Sequence, residues 1–242
     1  MNCVISLYDE DYFWTNLLPK SWNVIIYNKS ARDIPNSIKL PNTGRESGTM
    51  LNYIINNYNK INNDTIFLQG NPFYHIPFLF EEIKNDFSNC ISTKEGLKFI
   101  TRGNIQYHHL MEHCAQIKHS NQPIRGNSIK YPNFLNDWKV DFSKGEYKQH
   151  ISKILTSTSR TCVGGLTVDY GLKNLNLPLF DGQISYSNGA QYLVPAFLIK
   201  NKSLIWWEKV YDFHENHLDK GAPWLFEFLW HSLFIYPNKP TI

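Results

Sequence analysis

The sequence predicts a single α/β domain with a mainly parallel central sheet flanked by helices. Three observations predict it. Short apolar runs rich in β-branched and aromatic residues stand at 4–8, 23–27 and 65–68. A segment of helical periodicity fills 44–58. The order strand, crossover, strand, helix, strand is that of a parallel sheet.

Residues 4–8 (VISLY) read as a buried strand whose end carries Asp9, Glu10 and Asp11. Residues 12–18 form a helical turn stopped by Pro19, and 23–27 (NVIIY) a second strand followed by Asn28 and Lys29. Pro35 and Pro41 mark a loop. In 44–58, Met50, Leu51, Ile54, Ile55 and Tyr58 recur at helical spacing. A turn at Asn62-Asn63-Asp64 precedes the third strand, 65–68. Further helices are expected near 77–85, 147–157, 198–214 and 223–234, with a strand or strand pair at 186–194. Pro223 suits a first helical turn, where its missing N–H costs little. No repeat or linker-like tract interrupts the chain, so one domain over 1–242 is expected.

The composition is globular, with 42% hydrophobic and 19% charged residues among 242. A formal net charge of +3 with scattered lysines argues against a nucleic-acid surface. Cys3, Cys90, Cys114 and Cys162 are widely spaced and form no CxxC pair, which favours a reduced, cytoplasmic setting. The N-terminus lacks a basic region followed by a long apolar stretch, so no signal peptide is expected. No run of about 18 apolar residues predicts a transmembrane helix. The apolar 224–236, interrupted by Glu227 and His231, reads as a buried helix and leaves peripheral membrane contact open.

Open α/β sheets bind ligands beyond the carboxyl ends of their strands. Three such ends are polar here: Asp9-Glu10-Asp11, Asn28-Lys29 and Gln69-Gly70-Asn71. Solvent alone makes strand ends polar, but three together point to a site. In PNTGRE, Asn42 belongs to a turn and Arg45-Glu46 open a helix. Arg45 there offers a bidentate fork for phosphate, while Glu46 either holds Arg45 or acts on a sugar hydroxyl. His75 suits a metal ligand, a general base or a structural hydrogen bond. Asn188-Gly189 signals a turn, in the plainest case a hairpin, with Gln191 just beyond. Glu227 and His231 share a helix face, as a tuned base or a satisfied core pair. His109 and His113, four apart, have zinc-binding spacing without the HExxH order. The absence of a P-loop, GxSxG or GxGxxG removes support from three common enzyme classes.

As a set, VISLYDED, IIYNK at 25–29, NTGRESGTML at 42–51, FLQGNPFYH at 67–75, NGAQYLV at 188–194 and the late FEFLWHSLF resemble an uncharacterised family that carries these motifs in this order. That family in turn looks like nucleotide-sugar glycosyltransferases of the GT-A architecture. The resemblance implies a Rossmann-like nucleotide-binding half over 1–80 and an acceptor half with C-terminal helices over 81–242. It implies a nucleotide-sugar donor, a glycan or lipid-linked acceptor, and Mg²⁺ or Mn²⁺ on the diphosphate. In place of the usual Asp-x-Asp, this chain has Gln69-Gly70-Asn71, so the metal is held otherwise, for instance by His75, or is not used. Asp9, Glu10 and Asp11 would border the nucleoside, and Lys29 or Arg45 would neutralise the leaving diphosphate. Gln69, His75, Asn188 and Gln191 would contact the sugar, and Glu227 would deprotonate the acceptor. A non-catalytic carbohydrate-binding module, with aromatic stacking surfaces, is the alternative. A metal-dependent hydrolase built on His109 and His113 is a third.

Overall fold

The structure, a computed structural model, describes residues 1–100, 105–107, 166, 168–178 and 184–236. The expected helix at 147–157 and the pair His109 and His113 lie outside these residues. Two compact units divide the chain: Met1–Arg102 with Ser187–Glu215, and Gly103–Tyr186 with Asn216–Ile242.

The first unit is built on a mixed sheet. Its strands are β1 (Asn2–Leu7), β2 (Asn23–Asn28), β3 (Ile38–Lys39), β4 (Thr65–Gln69), β5 (Ile91–Ser92), β6 (Lys98–Phe99) and β9 (Tyr192–Val194). They lie in the order β3-β2-β1-β4-β9-β6-β5. The pairings β1–β2, β1–β4 and β2–β3 are parallel, whereas β4–β9, β9–β6 and β6–β5 are antiparallel. The expected parallel sheet is therefore one end of a mixed one.

Strand β1 is central, and five of its six residues are buried. A parallel strand covered on both faces needs such a nearly continuous apolar run. Val4 lies opposite Ile25 on one side and Phe67 on the other. The pleat sends Cys3, Ile5 and Leu7 to one face, where they join Ile66, Leu68 and Leu193 in a buried cluster.

The opposite face is covered by helix α1 (Arg45–Asn57), whose Met50, Leu51, Tyr53 and Ile54 are buried. Tyr53 meets Phe67 of β4 edge-on at 5.7 Å. The short helix α2 (Leu79–Lys84) follows β4. The helical pattern expected over 198–214 is two helices, α4 (Ala196–Lys200) and α5 (Leu204–Glu215), separated where Ser203 Oγ accepts from the Trp206 N–H. Trp207, Val210 and His214 form the buried stripe of α5, and α5 packs on α1.

In the second unit β7 (Ile105–Tyr107) pairs antiparallel with β8 (Ile184–Tyr186), beside helices α3 (Val168–Asn174) and α6 (Ala222–Ile235). The Asn188-Gly189 turn therefore closes no hairpin: β8 pairs with β7, while β9 pairs with β4 and β6. Helix α6 is buried almost all round, with Phe226, Trp230 and Phe234 in successive ring contact. Among the described residues, no helix is long and apolar enough to cross a membrane.

Trp207 is fully buried, and its Nε1–H donates to the Ile199 carbonyl at 2.9 Å. Trp207→Ala empties the buried seat of α5 within the first unit, and urea denaturation should show a loss of about 3–5 kcal/mol.

Candidate functional site

From β1 the chain steps to β2 and then β3 on one side, and places β4 on the other. Such a reversal opens a crevice beyond the carboxyl ends of the two strands that flank it, here Leu7 and Gln69. The loops after β1 and β4 meet there.

The loop after β1 is shaped by its own acids. Asp11 Oδ1 accepts from the Phe13 N–H at 2.9 Å, which uses its carboxylate in a local turn. Glu10 Oε2 accepts from the Tyr8 N–H at 2.7 Å and stands over Gly70, where a Cβ would lie 2.5 Å from it. Asp9 is exposed. Arg32 Nη2 donates to the carbonyls of Tyr8 at 3.0 Å and Glu10 at 2.7 Å, tying this loop to the one after β2. Trp14 Nε1–H donates to the Gly70 carbonyl at 2.8 Å, which joins the β1 and β4 loops directly.

On the α1 side, Gln69 Nε2 donates to Glu46 Oε1 at 3.0 Å. The amide of Gln69 is pressed by Gly189, at φ 69°, where a Cβ would fall 2.7 Å from Gln69 Cδ. Only glycine combines that backbone conformation with that contact. Ser6 Oγ and Thr49 Oγ1 share a hydrogen bond of 2.9 Å. Val4, Ser6, Glu46, Thr49, Phe67 and Ala190 line a small cleft beside them.

Several predicted residues serve the backbone. Asn28 Nδ2 donates to the Arg32 carbonyl, and its Oδ1 accepts from the N–H and hydroxyl of Ser30. Lys29 is buried, and its Nζ donates to the carbonyls of Thr43, at 2.8 Å, and Arg45. Burial pushes the Lys29 ammonium down to about 8, against the pull of the Glu46 and Glu215 carboxylates. Asn42 and Arg45 are exposed, and Arg45 has φ 47°.

His75 follows a turn at Pro72–Tyr74, and burial lowers its imidazole to about 4. Gln191 is fully buried, and neither of its amide atoms has a hydrogen-bond partner among the described residues. Asn188 lies in the turn before β9, and Glu227 belongs to α6 of the second unit. The first unit thus brings together Glu10 with Gly70, and Gln69 with Glu46 and Gly189. Among the described residues, no group of three His, Cys, Asp or Glu side chains converges.

Sequence reasoning missed Arg32, whose contacts run to backbone, and His214. The latter is fully buried on α5, with Nδ1 2.9 Å from Glu215 Oε1. Its only sequence signal is a histidine where the apolar stripe of Trp207 and Val210 continues.

Residues 3–240 match the family described as "Protein of unknown function (DUF3431)". The chain belongs to that family. No curated protein and no solved structure matches it.

The neutral His75 gives a pH test. Its folded value of about 4 lies below the ordinary 6.5. The unfolded chain therefore takes up a proton that the folded one refuses, and the stability from this group is complete above about pH 6.5 and lost as pH falls toward 4. His75→Phe should flatten the fall in urea midpoint across that window, relative to the parent chain.

Proposed function

We propose that this DUF3431 chain is a glycosyltransferase of GT-A-like layout, moving a sugar from a nucleotide-sugar donor to a glycan or lipid-linked acceptor. The observation that carries the reading is the crevice beyond β1 and β4, where Glu10 sits over Gly70 and Gln69 holds Glu46. A parallel β3-β2-β1-β4 half that continues into antiparallel β9 supports the same layout.

Each group has a task that suits its chemistry. The Glu10 carboxylate accepts from ribose hydroxyls, as acids near dinucleotide phosphate loops do. Exposed Arg45 offers a planar fork to the diphosphate. Gln69, oriented by Glu46, keeps its amide oxygen as an acceptor for a sugar hydroxyl. In transfer with inversion, the acceptor oxygen bonds to the anomeric carbon as the carbon–phosphate oxygen bond breaks. The nucleoside diphosphate leaves with the bonding pair, and the acceptor proton passes to a carboxylate. In this reading Glu46 would take that proton within the first unit, and Glu227 is the corresponding candidate of the second.

Exposed aromatics favour a second reading, a carbohydrate-binding module without catalysis. Phe13 and Tyr74 are 65% and 76% exposed, and both follow strand ends that border the crevice.

A thermal-shift titration with UDP, GDP, CMP and dTDP, with and without Mn²⁺, separates the readings. One nucleotide at about 100 times its Kd should stabilise the protein by about 2.7 kcal/mol, and Glu10→Ala or Arg45→Ala should abolish the shift. No shift with any nucleotide at millimolar concentration would reject the donor site. Glycan binding in that case would favour the module.

A further inference from the structure

We propose that Lys29 and His214 are positioning residues: from just beyond β2 and from α5 they clamp the Gly44–Arg45 turn in left-handed backbone and so fix where Arg45 and Glu46 emerge at the crevice. Its functional half rests on the nucleotide-sugar reading, and its structural half does not.

The start of α1 is unusual. Gly44 has φ 69° and Arg45 has φ 47°, two consecutive left-handed residues at the head of a 13-residue helix. Glycine adopts this conformation freely, whereas arginine does so at a cost that the surroundings must meet. Two side chains supply the compensation, one from each flank.

From just beyond β2, Lys29 Nζ donates to the carbonyls of Thr43 and Arg45, bracketing the turn on both sides of Gly44. A buried ammonium on two carbonyls makes charge-assisted bonds, which are stronger than neutral ones. From α5, His214 packs so closely that a Cβ on Gly44 would lie 2.6 Å from its Cε1. Glu215 Oε1, 2.9 Å from Nδ1, orients the ring against the turn.

Gly48, one turn along, completes the cradle. Its N–H donates to the Gly44 carbonyl at 2.8 Å. A Cβ there would meet the Thr43 carbonyl at 3.1 Å, Lys29 Nζ at 3.6 Å and His214 Cε1 at 3.8 Å. The charged groups around the cradle are Lys29, Arg45, Glu46 and Glu215. Lys29 and His214 are buried, so both act on a ligand through the backbone they hold. Strain held in place by its neighbours tends to gather at functional sites, and this strain sits beside Glu46.

The test uses the full chain with Lys29→Met, which keeps the aliphatic stem and removes the donors. Amide hydrogen exchange over 43–48 should quicken by about tenfold or more, with β1 and β4 unchanged. Affinity for the best binder among UDP, GDP, CMP and dTDP should fall by about tenfold, the scale of one lost positioning contact. Exchange over 43–48 that is unchanged, or that rises equally in all strands, overturns the proposal. If no nucleotide binds the parent chain, the transferase reading fails, and the exchange data still decide the clamp.

Gly48→Ala is the second variant, in case Lys29→Met does not fold. Alanine favours the helix, so the thermal midpoint should hold or rise while the added Cβ displaces the Thr43 carbonyl. Faster exchange over 43–45 and weaker nucleotide binding at an undiminished midpoint support positioning. An undiminished midpoint with exchange unchanged overturns it.

Discussion

The first unit depends on one strand, β1, that carries a parallel ladder on each edge. Its register sets Val4 against Ile25 and Phe67 at once, so β2 and β4 are fixed relative to each other through it. A slip of one residue would exchange the two faces, sending Ser6 into the apolar cluster of Cys3, Ile5 and Leu7. Because β1 and β4 end side by side, their loops meet, and the bond from Trp14 Nε1–H to the Gly70 carbonyl closes that junction. The crevice follows from strand order before any particular side chain is considered.

Side chains then divide between facing the crevice and building its walls. Arg32, Asn28 and Lys29 direct their polar atoms onto backbone carbonyls, and Asp11 satisfies a local N–H. Glu10 stands over Gly70 while also accepting the Tyr8 N–H, and Gln69 at the end of β4 donates to Glu46. Polar groups that satisfy backbone in loops avoid the cost of leaving those carbonyls unpaired. A rigid wall made in this way lets a few remaining groups hold fixed positions, which is what recognition of a polar ligand requires.

Much of the parallel end was legible in the sequence, for a physical reason. β1 and β4 are buried on both faces and read as continuous apolar runs, and α1 shows its single apolar stripe. The antiparallel end was not legible, since β3, β5 and β6 have two residues each, too few to display a period. Asn188-Gly189 was recognised as a turn, but no local signal tells that its flanking strands join different sheets. Among Asp9, Glu10 and Asp11, composition cannot choose; in the fold both Glu10 and Asp11 accept a local backbone N–H, and it is Glu10 that stands over Gly70. His214 escaped notice because it continues an apolar stripe and owes its importance to Gly44, which lies far from it in sequence.

The central claim is that a nucleotide occupies the crevice beyond β1 and β4. Photo-crosslinking with an azido-nucleotide, followed by peptide mapping, tests it most directly. Labelling should fall on the loops after the two strands, at Tyr8–Tyr12 and Gly70–Tyr74, and unlabelled nucleotide should compete it away. Competable labelling confined to residues outside those loops and outside the start of α1 would contradict it.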